Sequence, residues 1–169
     1  NGVIEHVRIR DILISTSKCL ATIGCDDSWL EAEVLLRHVL SVDRAYIFSR
    51  LDDAVSDSDE CAMRLLVQRR VEGEPLAYLV ASREFYGLDF VVTPSVLIPR
   101  QETELLVDIV LRYGYNTGSA SSVTVADVGT GSGAIAMAVA HKLPKANVFA
   151  LDISKSALEV ADINRLLLG

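Results

Sequence analysis

The chain has 169 residues, 50% of them apolar and 23% charged, the profile of a soluble globular protein with one medium domain or two small ones. Its net charge of −7 excludes a nonspecific electrostatic grip on nucleic acid. Residues 1–81 carry nine basic against fourteen acidic side chains and residues 82–169 seven against nine, so the acidic surplus lies mostly in the first half.

The start, Asn1-Gly2-Val3, lacks the basic and apolar segments of a secretory signal. Residues 3–23 place Ile4, Val7, Ile12 and Leu20 at helical spacing. Asp27-Ser28 offers a cap for a helix over 29–40, with Leu30, Val34, Leu35, Val39 and Leu40 as its apolar stripe. A short helix is predicted over 44–51. Ser56 or Ser58 can cap a longer one running to Val71, with Met63, Leu66, Val67 and Arg70 on one face. Gly73-Glu74-Pro75 breaks it, and Pro75 can open one more turn to Leu79. Residues 1–81 thus read as a small helical bundle.

The pattern changes at Ser82. Residues 83–86 and 88–92 are strand-like and flank Gly87, predicting a hairpin over a linker of residues 82–93. Thr93-Pro94 and Ile98-Pro99 mark an extended connector. Helical spacing returns over 102–113, a small polar linker covers 116–122, and strand 123–128, helix 133–142, strand 147–151 and helix 155–167 follow. The predicted fold class is therefore α/β: a helical bundle plus hairpin, then the first half of a Rossmann-like sheet over 94–169.

Within that half-sheet, Asp127-Val-Gly129-Thr130-Gly131-Ser132-Gly133-Ala134 forms a strand, glycine loop and helix corner. Such corners seat nucleotide-like cofactors, because glycine admits sharp turns and close approach while the helix turns free N–H groups toward the ligand. The loop also satisfies the dinucleotide fingerprint G-x-G-x-x-G/A, so by itself it does not choose the cofactor. Asp127, two residues before the first glycine, can receive a cationic or amino group, or can cap the turn. Asp152 closes the second strand, where a carboxylate can accept both ribose hydroxyls or can cap the next helix. Lys142 and Lys145 read as solvated charges. Cys19, Cys25 and Cys61 show no C-x-x-C spacing and His6, His38 and His141 are scattered. No metal site or disulfide framework is expected, and a reducing, cytoplasmic setting fits. The longest uncharged apolar stretch, 134–140, is far short of the ~20 residues that span a bilayer.

Three further segments accompany the glycine loop: Glu74-Pro75-Leu76-Ala77-Tyr78, Arg83-Glu84-Phe85-Tyr86-Gly87, and Val96-Leu97-Ile98-Pro99-Arg100-Gln101-Glu102-Thr103-Glu104. In this order and spacing the sequence resembles the release-factor glutamine methyltransferases, the HemK or PrmC family, over nearly its whole length. The P-R-x-E-T-E connector is far more distinctive than the loop. The resemblance implies an S-adenosylmethionine-dependent enzyme that methylates the side-chain amide of a glutamine in peptide-chain release factors, with residues 1–81 helping to hold that protein. It carries cofactor binding to Asp127, Gly129, Thr130, Gly131, Ser132, Gly133 and Asp152, and places Leu97 and Arg100 on the substrate side. For Glu102 and Glu104 it leaves structural and catalytic roles open. It also implies an Asn-Pro-Pro-Tyr tetrad that binds the glutamine amide. These 169 residues do not contain it, so the chain reads as part of such an enzyme, truncated before its catalytic centre. A non-catalytic release-factor-binding module and a dinucleotide-binding oxidoreductase fragment are the alternatives. Strands 123–128 and 148–151 lack the later neighbours of a doubly wound sheet here, and their open edges and bare apolar faces would drive self-association or local disorder.

Overall fold

The computed structural model describes residues 7–116 and 123–169, so Ile4 of the first predicted helix and residues 117–122 of the predicted linker lie outside the described residues. The chain divides into two compact units, Asn1–Val80 and Ala81–Gly169.

The first unit holds α1 (Ile9–Ala21), α2 (Ser28–Leu40), α3 (Arg44–Ser49), α4 (Asp57–Val71) and α5 (Leu76–Leu79). Local chemistry sets several of their ends. The Ser56 hydroxyl accepts the Asp59 N–H and opens α4, while Asp43 accepts the Tyr46 N–H and opens α3. Asp27 stands at the start of α2 without a side-chain cap; the Ser28 hydroxyl instead lies 3.2 Å from that of Ser17 on α1. The core gathers Ile9, Ile12, Leu13 and Leu20 of α1, Leu35 and Leu36 of α2, Ile47, Met63 and Leu79.

The buried face of α2 differs from the predicted stripe. Leu30 is exposed, and Ala32, Glu33, Leu35 and Leu36 face inward. Glu33 is 1% exposed, with Arg44 Nε at 3.3 Å and an Arg37 guanidinium nitrogen at 3.7 Å, so its charge enters the interior beside two cations. A second pair binds α4 to α2. The Arg70 guanidinium donates to both Glu31 oxygens at 2.7 and 3.0 Å, which gives the predicted apolar face of α4 a charged but satisfied member.

The second unit begins with an antiparallel hairpin, β1 (Ser82–Phe85) and β2 (Leu88–Val91), in which Ser82 faces Val91 and Phe85 faces Leu88. Tyr86 and Gly87 form its two-residue turn, with φ of 55° and 78°. Both are left-handed, as a tight hairpin turn with the twist of its strands requires. Glycine takes this conformation freely, whereas tyrosine is held in it from outside. Its N–H donates to Glu104 Oε1 at 3.0 Å and its hydroxyl to Asp108 at 2.7 Å. Both acids lie on α6 (Glu104–Asn116), which follows a 3-10 turn at Gln101–Thr103. Glu104 of the P-R-x-E-T-E segment thus clamps the hairpin turn.

Strand β3 (Thr124–Val128), α7 (Ala134–Lys142), β4 (Asn147–Leu151) and α8 (Lys155–Leu168) complete the unit. β3 and β4 pair in parallel, joined by way of α7, with Val125 opposite Val148 and Val128 opposite Leu151. Helix α7 packs on both strands and on α6, and α8 packs on β2 and α7. Phe85 and Phe90 meet edge to face at 6.3 Å and share the core with Val107, Leu111, Ala138, Val139 and Leu143. Alternation along the paired strands puts Ala126, Val128, Phe149 and Leu151 together on the other face, where all are exposed and Val128 reaches 80%.

Candidate functional site

The site grows from the carboxyl ends of β3 and β4. Leu151 O accepts two N–H groups, from Gly129 at 2.8 Å and Thr130 at 2.9 Å, so the loop leaving β3 is pinned across the end of β4. The chain then reverses through Gly129, Gly131 and Gly133, with φ of 82°, 56° and 81°. Every second residue therefore lies in the region that side chains with a Cβ avoid. The Gly133 N–H returns to Thr130 O at 2.9 Å, and Gly133 opens α7.

Asp127 is half-buried beneath this loop. Its Oδ2 accepts the Thr130 hydroxyl at 2.7 Å and the Ala136 N–H at 3.2 Å, placing a carboxylate at the positive end of α7. Thr130 and Ser132 are buried, the first with its hydroxyl turned to Asp127, so a ligand over the loop would meet their backbone. At the end of β4, Asp152 accepts the Gly131 N–H at 2.9 Å through one oxygen and the Ser154 N–H at 2.9 Å through the other. The cap of α8 is Ser154, whose hydroxyl accepts the Ala157 N–H. Asp152 thus joins the second strand to the middle of the glycine loop. A Cβ built at Gly129 or Gly131 would meet nothing within 4 Å, so the space above both residues is open.

Ile153, directly after Asp152, is fully exposed and sets an apolar surface beside the carboxylate. An apolar residue next to a strand-terminal acid is the signal that would have singled it out. Leu97 and Arg100 are exposed on the connector, and among the described residues the hydrogen bonds of the loop do not include them. Glu102 is also exposed, on the 3-10 turn.

The Ser154 N–H and then the Gly131 N–H hold the Asp152 carboxyl below the usual aspartate range. An acid whose pKa falls on folding stabilises the fold above its unfolded value, and that contribution is lost as pH drops through the folded value. The Gly131 amide resonance is therefore expected to stay fixed as pH falls through the ordinary aspartate value of about 3.9 and to move only below it. A midpoint at the ordinary value would show that these two bonds do not form.

Comparison with known proteins adds to this geometry. The PrmC N-terminal domain matches residues 11–80, and a methyltransferase domain matches residues 119–169. The release factor glutamine methyltransferase of Moorella thermoacetica is 44% identical over 161 residues, covering 95% of this chain and 56% of that protein. Its counterpart from Bordetella pertussis is 46% identical over 140 residues, covering 83% of this chain and 51% of that protein.

The chain belongs to the HemK/PrmC family.

It spans about half the length of the curated family members it matches. In HemK/PrmC terms the distinctive connector is the stretch between the hairpin and α6, and the glycine loop is the first corner of the methyltransferase domain. Among the described residues, no helix is long and apolar enough to cross a membrane. Cys19, Cys25 and Cys61 are free thiols.

Proposed function

We propose that the chain contributes to S-adenosylmethionine-dependent methylation of a glutamine side-chain amide in a peptide-chain release factor. In this reading residues 1–81 recruit the release factor, residues 82–93 link the two parts, and residues 94–169 hold the methyl donor. The observation that carries the reading is the corner itself: a loop with three left-handed glycines, tied to Asp152 at the carboxyl ends of two parallel strands. Ligands of open α/β sheets occupy this place.

The residues present fit the cofactor. The space above Gly129 and Gly131 admits a close ligand, Asp152 offers carboxylate oxygens to ribose hydroxyls, and Ile153 offers an apolar flank to a base. S-adenosylmethionine supplies an electrophilic methyl group on a cationic sulfur. The alternative, a dinucleotide, needs an anion-binding helix end for its pyrophosphate. Here the Asp127 carboxylate already accepts the Ala136 N–H at that end, which favours a cationic ligand over a second anion. Leu97 and Arg100 remain substrate-side candidates through the connector they share, and a cytoplasmic setting accords with a release-factor partner.

Calorimetry with S-adenosylmethionine and with NAD tests the cofactor, with heat expected from the first only. Asp152→Ala is expected to weaken S-adenosylmethionine roughly ten- to hundredfold, through lost charge-assisted hydrogen bonds. An unchanged Kd would remove Asp152 from the ribose site.

The exposed face of Ala126, Val128, Phe149 and Leu151 bears on assembly. In the 169-residue chain it is expected to drive association between copies. Light scattering should show a mass that rises with concentration; a monomer unchanged on concentration would contradict this.

A further inference from the structure

We infer that Asn164 is a positioning residue that fastens the glycine loop to hairpin strand β2, so that the cofactor corner and the substrate-side connector move as one body. The inference rests on the methyltransferase reading only for its effect on cofactor binding.

Asn164 lies on α8 and is 0% exposed. Its Oδ1 accepts the Val91 N–H at 2.7 Å, and its Nδ2 donates to Val91 O at 2.9 Å and to Ser132 O at 2.9 Å. Toward Val91 the amide acts as a further strand would, completing both backbone groups of a residue whose other neighbour is Ser82. Toward Ser132 it uses the remaining amide hydrogen. A leucine of similar size would bury more cheaply than an amide, because a buried polar group is costly unless it is fully bonded. Here both N–H groups and the oxygen are engaged, which fixes one arrangement of three separate segments.

The Ser132 contact falls between two others on consecutive residues. Gly131 N–H is held by Asp152, and Gly133 N–H by Thr130 O. Among the described residues, the Asn164 amide joins this stretch to the hairpin by hydrogen bonds to Ser132 and Val91. Strand β2 runs through Val92 into Thr93-Pro94 and the connector that carries Leu97 and Arg100. Small neighbours on α8 allow the close approach: a Cβ on Gly133 would lie 3.3 Å from Ala161, one turn before Asn164. A two-substrate transfer depends on relative placement of donor and acceptor, and a shared anchor for both sides supplies it.

The test compares Asn164→Leu with Val160→Ala, a core truncation on the same helix, in the 169-residue chain. Amide hydrogen exchange is followed at residues 88–92 and 129–134, alongside calorimetry with S-adenosylmethionine. Asn164→Leu is expected to speed exchange in both segments and to raise Kd about tenfold, beyond what Val160→Ala does at equal loss of Tm. If the two variants match in exchange, Asn164 is ordinary core and the inference falls. Should Asn164→Leu fail to fold, Asn164→Asp serves. It keeps the acceptor for Val91 N–H and loses both donors, so exchange should quicken in 129–134, and wild-type exchange there would overturn the proposal. If the wild-type chain binds no S-adenosylmethionine, the cofactor reading fails by itself and the exchange comparison still decides the role of Asn164.

Discussion

Incubated with a release factor and saturating radiolabelled S-adenosylmethionine, the 169-residue chain is expected to transfer no methyl group. An amide nitrogen is a poor nucleophile, because its lone pair is delocalised into the carbonyl. Transfer needs a donor held at the glycine loop, an amide held in line with it, and acceptors that polarise its N–H groups. The first is the role proposed for the Gly129–Gly133 loop and Asp152. The acceptors implied by the family resemblance, an Asn-Pro-Pro-Tyr tetrad, do not occur in these residues. Orientation of two reactants supplies potentially ~7–11 kcal/mol of barrier reduction. Without the amide clamp most of it is forfeited, and turnover falls below detection. Label on the release-factor glutamine would show that the tetrad is dispensable or comes from another chain.

Gly131→Val is expected to abolish S-adenosylmethionine binding while leaving the chain folded. Apart from its chain neighbours, no protein atom lies within 4 Å of a Cβ at Gly131, so the side chain starts into open space. Its structural cost is the strain of a β-branched residue at φ 56°, about 1–3 kcal/mol. The side chain instead fills the open space assigned to the ligand. Gly133→Ala provides the contrast, since its Cβ would lie 2.6 Å from Met137 Cε as well as 3.3 Å from Ala161. The methionine end can swing away, but strain at φ 81° remains, and a stability loss of about 1–3 kcal/mol is expected. Circular dichroism melts and calorimetry separate stability from binding: Gly131→Val keeps a cooperative melt and loses the ligand. A wild-type Kd for Gly131→Val would mean that no ligand passes over that residue.

The sequence by itself determined what local chemistry controls. Ser56 and the 3.6-residue spacing that follows it announce α4; Gly87 between two β-rich runs announces the hairpin; three alternating glycines after an apolar run announce the loop. Each is settled by dihedral preference and hydrogen bonds within a few residues. The connector motif, as a family resemblance, points to methyl transfer without any geometry. Asp127 and Asp152 are legible in the sequence as candidate site residues, but their partners are not. Only the tertiary structure decided that Asp127 lies under α7 and that Asp152 holds Gly131, a contact spanning 21 positions.

It alone showed that α2 buries Glu33 and exposes Leu30, because the inward face of a helix is chosen by its neighbours and not by its own periodicity. In sequence Glu104 suits catalysis and structure equally; in the fold its oxygen accepts the Tyr86 N–H, 18 residues away. Asn164 gave no signal in the chain, since its bonds reach 73 positions back to Val91 and 32 to Ser132. A buried amide takes its meaning from whatever the fold brings beside it, and no window of sequence contains that information.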